Sequence, residues 1–357
     1  MSFGMSRKDF LFYQLMITTK GIRPMYKKVL IITDNEPAQV NGVVTTFHNL
    51  EILAERDGYD FVYLDPRQFV SVPCPGYSEI KLSWTWGIGR IIQKVNPDYI
   101  HIATEGPVGF AARCWMDYWG WRYNTSYHTR FPEAIEKIAG IPTAWTYRYL
   151  RWFHKHSGRV LTTTQSMVDD LIGRGFRTDI KPWTRGVDRT VFSSSTRTAT
   201  ERSQPVLLSV GRVSKEKNLD DFCRLEYPGA SKIVVGDGPC RHRMEREYPD
   251  VEFVGIKRGT ELSQYYANAD VFVFPSCWDT FGIVMIEAMA CGTPVAAYPV
   301  VGPKDVIDQG ITGYMDNDLK TAVDQCLRLD RVRVEEASLR WSWEECWRIF
   351  RDNLVDK

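Results

Sequence analysis

The chain has 357 residues with 45 Lys and Arg against 44 Asp and Glu, and its side chains are 44% hydrophobic and 25% charged. At roughly 100 to 200 residues per domain this predicts about two packed domains and excludes disordered, collagen-like and coiled-coil classes. A net charge of +1 argues against a whole-protein polyanion binder, yet that neutrality is an average: residues 1–200 stand at +7 and residues 201–357 at −6.

The N-terminal run Phe10–Ile17 is far shorter than the ~20 apolar residues a membrane-spanning helix needs. It also lacks a following small-residue cleavage site, so residues 1–24 read as an extension before the first domain. Strand-like apolar runs then alternate with helical periodicity. Lys28–Thr33 is a buried strand, Asp34–Gly42 a loop and Val43–Glu55 a helix; Asp60–Leu64 is a strand and Ile88–Val95 a helix; Pro97–Ile102 is a strand and Val108–Trp119 a helix; Asn124–His128 is a strand. The Ser, Thr and Arg stretch from Phe192 to Gln204 breaks the pattern and reads as a linker. Strands resume at Val206–Val210, Lys232–Val235, Val251–Val254 and Val271–Phe274, giving a second α/β unit over about 205–335, and Trp341–Leu354 is a Trp-rich amphipathic helix. Such alternation predicts α/β architecture, two doubly wound parallel sheets.

Eight scattered cysteines, with no C-x-x-C pair and no zinc spacing, point to a reduced, cytoplasmic chain without structural metal. In an open parallel sheet, ligands bind beyond the carboxyl ends of the strands, and four segments with chemical potential fall there. Asn41-Gly42 follows the first strand and would let backbone amides approach an anion. Ser126–Phe131 places His128 at a strand end among aromatic residues. Gly211–Asn218 follows the first strand of the second unit and carries Arg212 and Lys217, a planar fork and a mobile point charge suited to phosphate. The most specific is Phe274–Pro294, a strand, a Gly-containing loop and a helix whose exposed amides favour anions. Glu287 lies within that helix on an otherwise small, apolar face, where a carboxylate calls for a ligand hydroxyl.

Taken in order, Asn41-Gly42, Tyr127-His128-Thr129, Arg185-Gly-Val-Asp188, Gly211-Arg212 with Lys217-Asn218, Val235-Gly-Asp-Gly-Pro239 and the 274–294 block resemble glycosyltransferase family 4, retaining enzymes of the GT-B fold. The similarity is closest to bacterial α-mannosyltransferase and glucolipid-forming members. It implies two Rossmann-like domains facing a central cleft. Residues 25–195 plus 340–357 would form the acceptor-side domain, the C-terminal helix crossing back onto it, and 205–338 the donor-binding domain. It further implies a GDP- or UDP-linked sugar as donor substrate, with no cofactor and no divalent metal. Arg212 and Lys217 would take the diphosphate, and His128 the sugar near its reacting carbon. Glu287 would take the ribose hydroxyls, Asn41, Gly42, Gly211 and Gly236 would lie close to the donor, and Thr280, Phe281 and Gly282 would present amides to phosphate. The family's motif of two glutamates separated by seven residues begins here with Asp279, one methylene shorter than usual toward the sugar hydroxyls.

Residues 146–189 hold nine basic and four acidic side chains, with Tyr147, Tyr149, Trp152 and Phe153 among the first. Such a segment suits an anionic membrane, so a lipid or glycan acceptor and peripheral membrane contact through 146–160 are the leading expectation. A nucleic-acid acceptor and an inactive nucleotide-sugar binding protein are the alternatives. No G-x-G-x-x-G turn follows the first strand and no G-x-x-x-x-G-K-[ST] loop occurs, which disfavours a dehydrogenase and a kinase.

Overall fold

The computed structural model describes residues 26–39, 41–74, 77–130, 132–133, 135–136, 140–198 and 204–357. The run at 10–17 lies outside them. Strands β1 (Lys27–Ile32), β2 (Tyr59–Leu64), β5 (Tyr99–Ile102), β6 (Asn124–Tyr127), β7 (Val160–Thr162) and β8 (Ile180–Pro182) form one sheet in the order β2-β1-β5-β6-β7-β8, every pair parallel. Strands β9 (Val206–Val210), β10 (Ser231–Val235), β11 (Val251–Gly255), β12 (Val271–Phe274), β13 (Val295–Ala297) and β14 (Gly313–Met315) form a second parallel sheet, β11-β10-β9-β12-β13-β14. Between β2 and β5 an antiparallel hairpin, β3 (Val70–Cys74) and β4 (Tyr77–Trp84), stands apart from both sheets.

Val29, Leu30, Ile31 and Ile32 of β1 are fully buried, as are Val271, Phe272 and Val273 of β12. Side chains on both faces of these central strands therefore sit under helices, which is why the runs read as continuously apolar. The strand order reverses between β1 and β5 in the first sheet and between β9 and β12 in the second. Each reversal opens a crevice where the flanking loops diverge.

The C-terminal helix Trp343–Asp352 packs on the first sheet, although it follows the second in sequence. Trp343, Trp347 and Phe350 share a buried cluster with Val29, Phe47, Phe61 and Trp183. Gly186 makes this docking possible, because a Cβ there would lie 2.3 Å from the Trp343 amide nitrogen. Trp347 Nε1 donates to Asp57 (2.7 Å) and Trp183 Nε1 to the Cys346 carbonyl (3.0 Å), so the buried indoles keep their hydrogen bonds.

Candidate active site between the two sheets

The loops after β1 and β6 meet those after β9 and β12. A Cβ at Gly42 would sit 3.5 Å from Ile283 Cδ1, so the helix Gly42–Arg56 begins against the helix Ile283–Ala290 of the second sheet. Thr280 ties the two sides together. Its hydroxyl donates to the His128 carbonyl (2.5 Å), and its own carbonyl accepts from Thr163 Oγ1 (2.8 Å).

His128 stands where β6 ends. Arg185 Nη2 donates to His128 Nδ1 (2.9 Å), and a guanidinium has no acceptor, so Nε2 must carry the ring proton. That proton goes to Ser126 Oγ (2.7 Å). Ser126 Oγ in turn lies 3.0 Å from His101 Nε2 and donates to the Ala103 carbonyl at 3.3 Å. Burial, then the Arg185 charge, then His101 hold the His128 pKa well below that of a free imidazole, and the ring is neutral. Arg185 is itself 3% exposed; its other nitrogen donates to the carbonyls of Trp183 (2.7 Å) and Thr184 (2.9 Å), and its guanidinium lies over the Trp183 ring. The junction motif thus fixes the histidine's tautomer from 57 residues away in sequence.

On the opposite wall, Gly211 and Arg212 leave β9 and Lys217 follows on a short 3₁₀ turn, Lys215–Lys217. Gly236, after β10, lets that loop touch the end of β9, since a Cβ there would fall 1.9 Å from the Gly211 carbonyl oxygen. Lys217 Nζ donates to both carboxylate oxygens of Asp279, at 2.6 and 2.9 Å. Burial pushes the Asp279 carboxyl up, but the Lys217 charge and hydrogen bond, helped by Ser276, outweigh it and the net displacement is downward. The shortened acid is therefore gripped by the lysine. Arg212 is half-buried on the loop that leads from β9 to that turn.

Thr280 and Phe281 are 4% exposed, with Phe281 packed in the second sheet's core against Trp341, and Gly282 (φ +83°) caps the Ile283–Ala290 helix. Gly282 has no side chain to cap that helix start, and no acid sits in its first turn. Glu287, one turn in, accepts from Tyr266 (2.9 Å); burial raises its carboxyl to about 7 against that hydrogen bond.

The helix starts of the first sheet differ. Asn41 Oδ1 accepts from the Val43 and Val44 amides (3.1 and 3.0 Å). The helix Pro107–Trp119 is met by the buried Asp34 carboxylate, which accepts from the Val108 amide (2.7 Å) and from Thr104 Oγ1 (2.8 Å). At the helix Gln165–Gly173, Thr164 Oγ1 accepts from the Met167 amide (3.2 Å) and Asp305 from the Ser166 amide (3.0 Å). These three helix starts are thus already met by side-chain acceptors, whereas Gly282 leaves the start of Ile283–Ala290 without one.

Sequence reasoning singled out His128, Arg212, Lys217, Asp279 and Glu287 separately. It missed the Lys217–Asp279 pair, the Arg185–His128–Ser126 chain and the Thr280 crosslink. The basic segment also divides: Arg148, Lys155 and Arg177 are exposed, while Arg174 pairs with Asp170 and Glu133, Arg159 and Lys181 with Asp179, and Arg185 is buried. Among the described residues no group of three His, Cys, Asp or Glu could hold a metal ion.

Comparison with known proteins decides the family. Residues 40–191 match Glycosyltransferase Family 4 and residues 204–330 match Glycosyl transferases group 1. A GDP-mannose-dependent alpha-mannosyltransferase of Mycobacterium tuberculosis is 30% identical over 288 residues, covering 76% of this chain and 75% of that protein. The chain belongs to glycosyltransferase family 4. The sulfoquinovosyl transferase SQD2 of Arabidopsis thaliana is 29% identical over 342 residues, 89% of this chain, but the chain spans only 62% of that relative's length. Sucrose-phosphate synthase from Thermosynechococcus elongatus superimposes with a TM-score of 0.72 at 18% identity, covering 91% of this chain and 98% of that one. Anabaena HepE in complex with UDP-glucose superimposes at 0.67 with 15% identity, covering 92% and 99%. The fold of this family 4 member is GT-B, two Rossmann-like sheets across a cleft.

Proposed function

We propose that this chain is a retaining hexosyltransferase that moves a sugar from a GDP-mannose or UDP-glucose type donor to a hydroxyl of a lipid or glycan acceptor without a divalent metal. The observation that carries the reading is the asymmetry of the cleft: Arg212, Lys217 and an uncapped helix start at Gly282 on the second sheet's wall, facing a neutral His128 on the first. Among relatives, the mycobacterial protein is named for GDP-mannose, and an alpha-monoglucosyldiacylglycerol synthase of Streptococcus pneumoniae, 23% identical over 352 residues, for a glucolipid.

In this reading Arg212, Lys217 and the helix amides accept the negative charge that gathers on the leaving diphosphate. Lys217 is already positioned by Asp279, so little reorganisation accompanies that step. The bond from the anomeric carbon to the phosphate oxygen breaks while the acceptor oxygen adds on the same face, and the acceptor's proton passes to the departing phosphate. The neutral His128 ring and its backbone border the sugar. Glu287 takes ribose hydroxyls in its ionised form.

A thermal-shift panel of GDP, UDP and their hexose conjugates tests the donor half. At a hundredfold excess over Kd the bound form gains about 2.7 kcal/mol, so one nucleotide should raise the Tm clearly above the other, and a panel without any shift contradicts the reading.

A further inference from the structure

Asp279 stands where the family's motif has its first glutamate, and its surroundings give it a different task from gripping a sugar. Both of its carboxylate oxygens accept from one group, Lys217 Nζ, at 2.6 and 2.9 Å, and the Ser276 hydroxyl adds a further hydrogen bond. Around this pair the loops after β9 and β12 are stitched together: Asn218 Nδ2 donates to the Pro275 carbonyl (3.4 Å) and Ser276 Oγ to the Glu216 carbonyl (3.5 Å). The backbone beneath the acid is fixed as well. A Cβ at Gly302 would come within 2.6 Å of the Asp279 carbonyl oxygen, and Thr280 is bonded on both sides, its hydroxyl to His128 and its carbonyl to Thr163. With its backbone held, so short a side chain turns toward a sugar only by giving up the lysine.

We propose that Asp279 is a positioning residue for Lys217, acting on the diphosphate half of the donor, and that it is not a ligand of the sugar hydroxyls. The inference rests on the transferase reading above. An ammonium on a flexible stem is a mobile charge unless something holds it. Here the carboxylate holds Lys217 on the wall that carries Arg212 and the Gly282 helix start, the groups that meet the diphosphate in that reading. A glutamate at this position would have reach to spare beyond the lysine, whereas the missing methylene commits the aspartate to it. The two roles divide the donor differently. A residue that acts through Lys217 affects free nucleoside diphosphate and nucleotide sugar alike, and a sugar ligand affects the nucleotide sugar alone.

The test is calorimetric titration of GDP and GDP-mannose, or of UDP and UDP-glucose, whichever pair raises the wild-type Tm. It compares the wild type, Asp279→Asn, Lys217→Met and the double variant. Asp279→Asn should weaken the free diphosphate and the nucleotide sugar by the same factor, roughly threefold or more, and should bring no further loss of either in the Lys217→Met background. A loss confined to the nucleotide sugar, a loss that persists without Lys217, unchanged affinities, or tighter binding of both ligands overturns the positioning role. Binding of either nucleotide by the wild type leaves the transferase reading standing in each of those cases. Failure of every nucleotide to bind the wild type overturns both. Should Asp279→Asn fail to fold, Asp279→Ala supplies the same comparison between the two ligands.

Discussion

Two carboxyl groups are held protonated well above their ordinary range, and the reason is the same for both. Burial raises Asp34 to about 6, against hydrogen bonds from Val108, Thr104 and Gly109, and Glu287 to about 7, against Tyr266. The folded protein binds these protons more tightly than the unfolded chain does. Their contribution to stability is therefore full below about pH 4 and is lost as pH rises through 6 and 7. Replacing Glu287 with Gln removes the titrating group without changing shape, so Glu287→Gln should melt above wild type at pH 8 and alongside it at pH 5, as differential scanning calorimetry would record. If the ionised form holds ribose hydroxyls, nucleoside diphosphate affinity should rise between pH 6 and 8 in the wild type. The variant should lose that slope and bind roughly tenfold more weakly, about 1.4 kcal/mol. His128 behaves oppositely: with its pKa pushed far down and its proton fixed on Nε2 by Arg185, kcat/KM of the Glu287→Gln variant, in which the carboxyl titration is removed, should show no inflection near the ordinary imidazole value. His128→Ala should reduce transfer by roughly a hundredfold or more, in keeping with the ~3 kcal/mol that one positioned polar group contributes to a transition state. An inflection that disappears with this substitution would mean the ring titrates during turnover.

At the scale of elements, two kinds of information separate. Strands β9 and β12 appear in the sequence with the bounds they have in the structure, and the helix Ile88–Val95 likewise, because fully buried runs and amphipathic stripes leave a local signal. Strands β7, β8, β13 and β14, three residues each, were invisible, since a segment that short shows no period. The β3–β4 hairpin was missed as well; it contains Pro73, which argues locally against a strand. In the candidate site the residue types were legible one at a time, while the pairs were not. Lys217 and Asp279 are 62 residues apart, Arg185 and His128 57, Thr280 and His128 152. Such contacts arise only when two sheets are brought together, and no local pattern encodes them. The Gly211–Gly236 contact shows how tightly the loops are set. Gly236→Ala forces a Cβ against the Gly211 carbonyl and should cost roughly 1–3 kcal/mol through displacement of the β9 turn. Nucleotide binding should weaken with it, and a variant that melts and binds like wild type would show the turn to be pliant.

For the whole molecule, the architecture is a chain that leaves the first sheet, builds the second and returns. The return matters energetically because Trp343, Trp347 and Phe350 are almost wholly buried beside β1 and Trp183. Removing one such aromatic from a core typically costs about 3–5 kcal/mol, so ending the chain after Ser338 should unfold the first sheet at ambient temperature. Hydrogen exchange would register this as lost protection in β1, β2 and β5, and retained protection there would contradict the packing account. The same arrangement places the cleft where the loops after β1 and β6 meet those after β9 and β12, with an uncapped helix start at Gly282 on one wall and side-chain acceptors at the starts of the helices Gly42–Arg56, Pro107–Trp119 and Gln165–Gly173 on the other. That asymmetry is the basis for assigning donor and acceptor sides. The most direct test of the central claim follows the anomeric signals by NMR as the purified protein turns over an α-linked GDP- or UDP-hexose with a neutral glycoside acceptor. Formation of a new α-glycosidic linkage with release of the nucleoside diphosphate is the predicted result; a β-linked product, or an unchanged donor under conditions where the nucleotide binds, would contradict it.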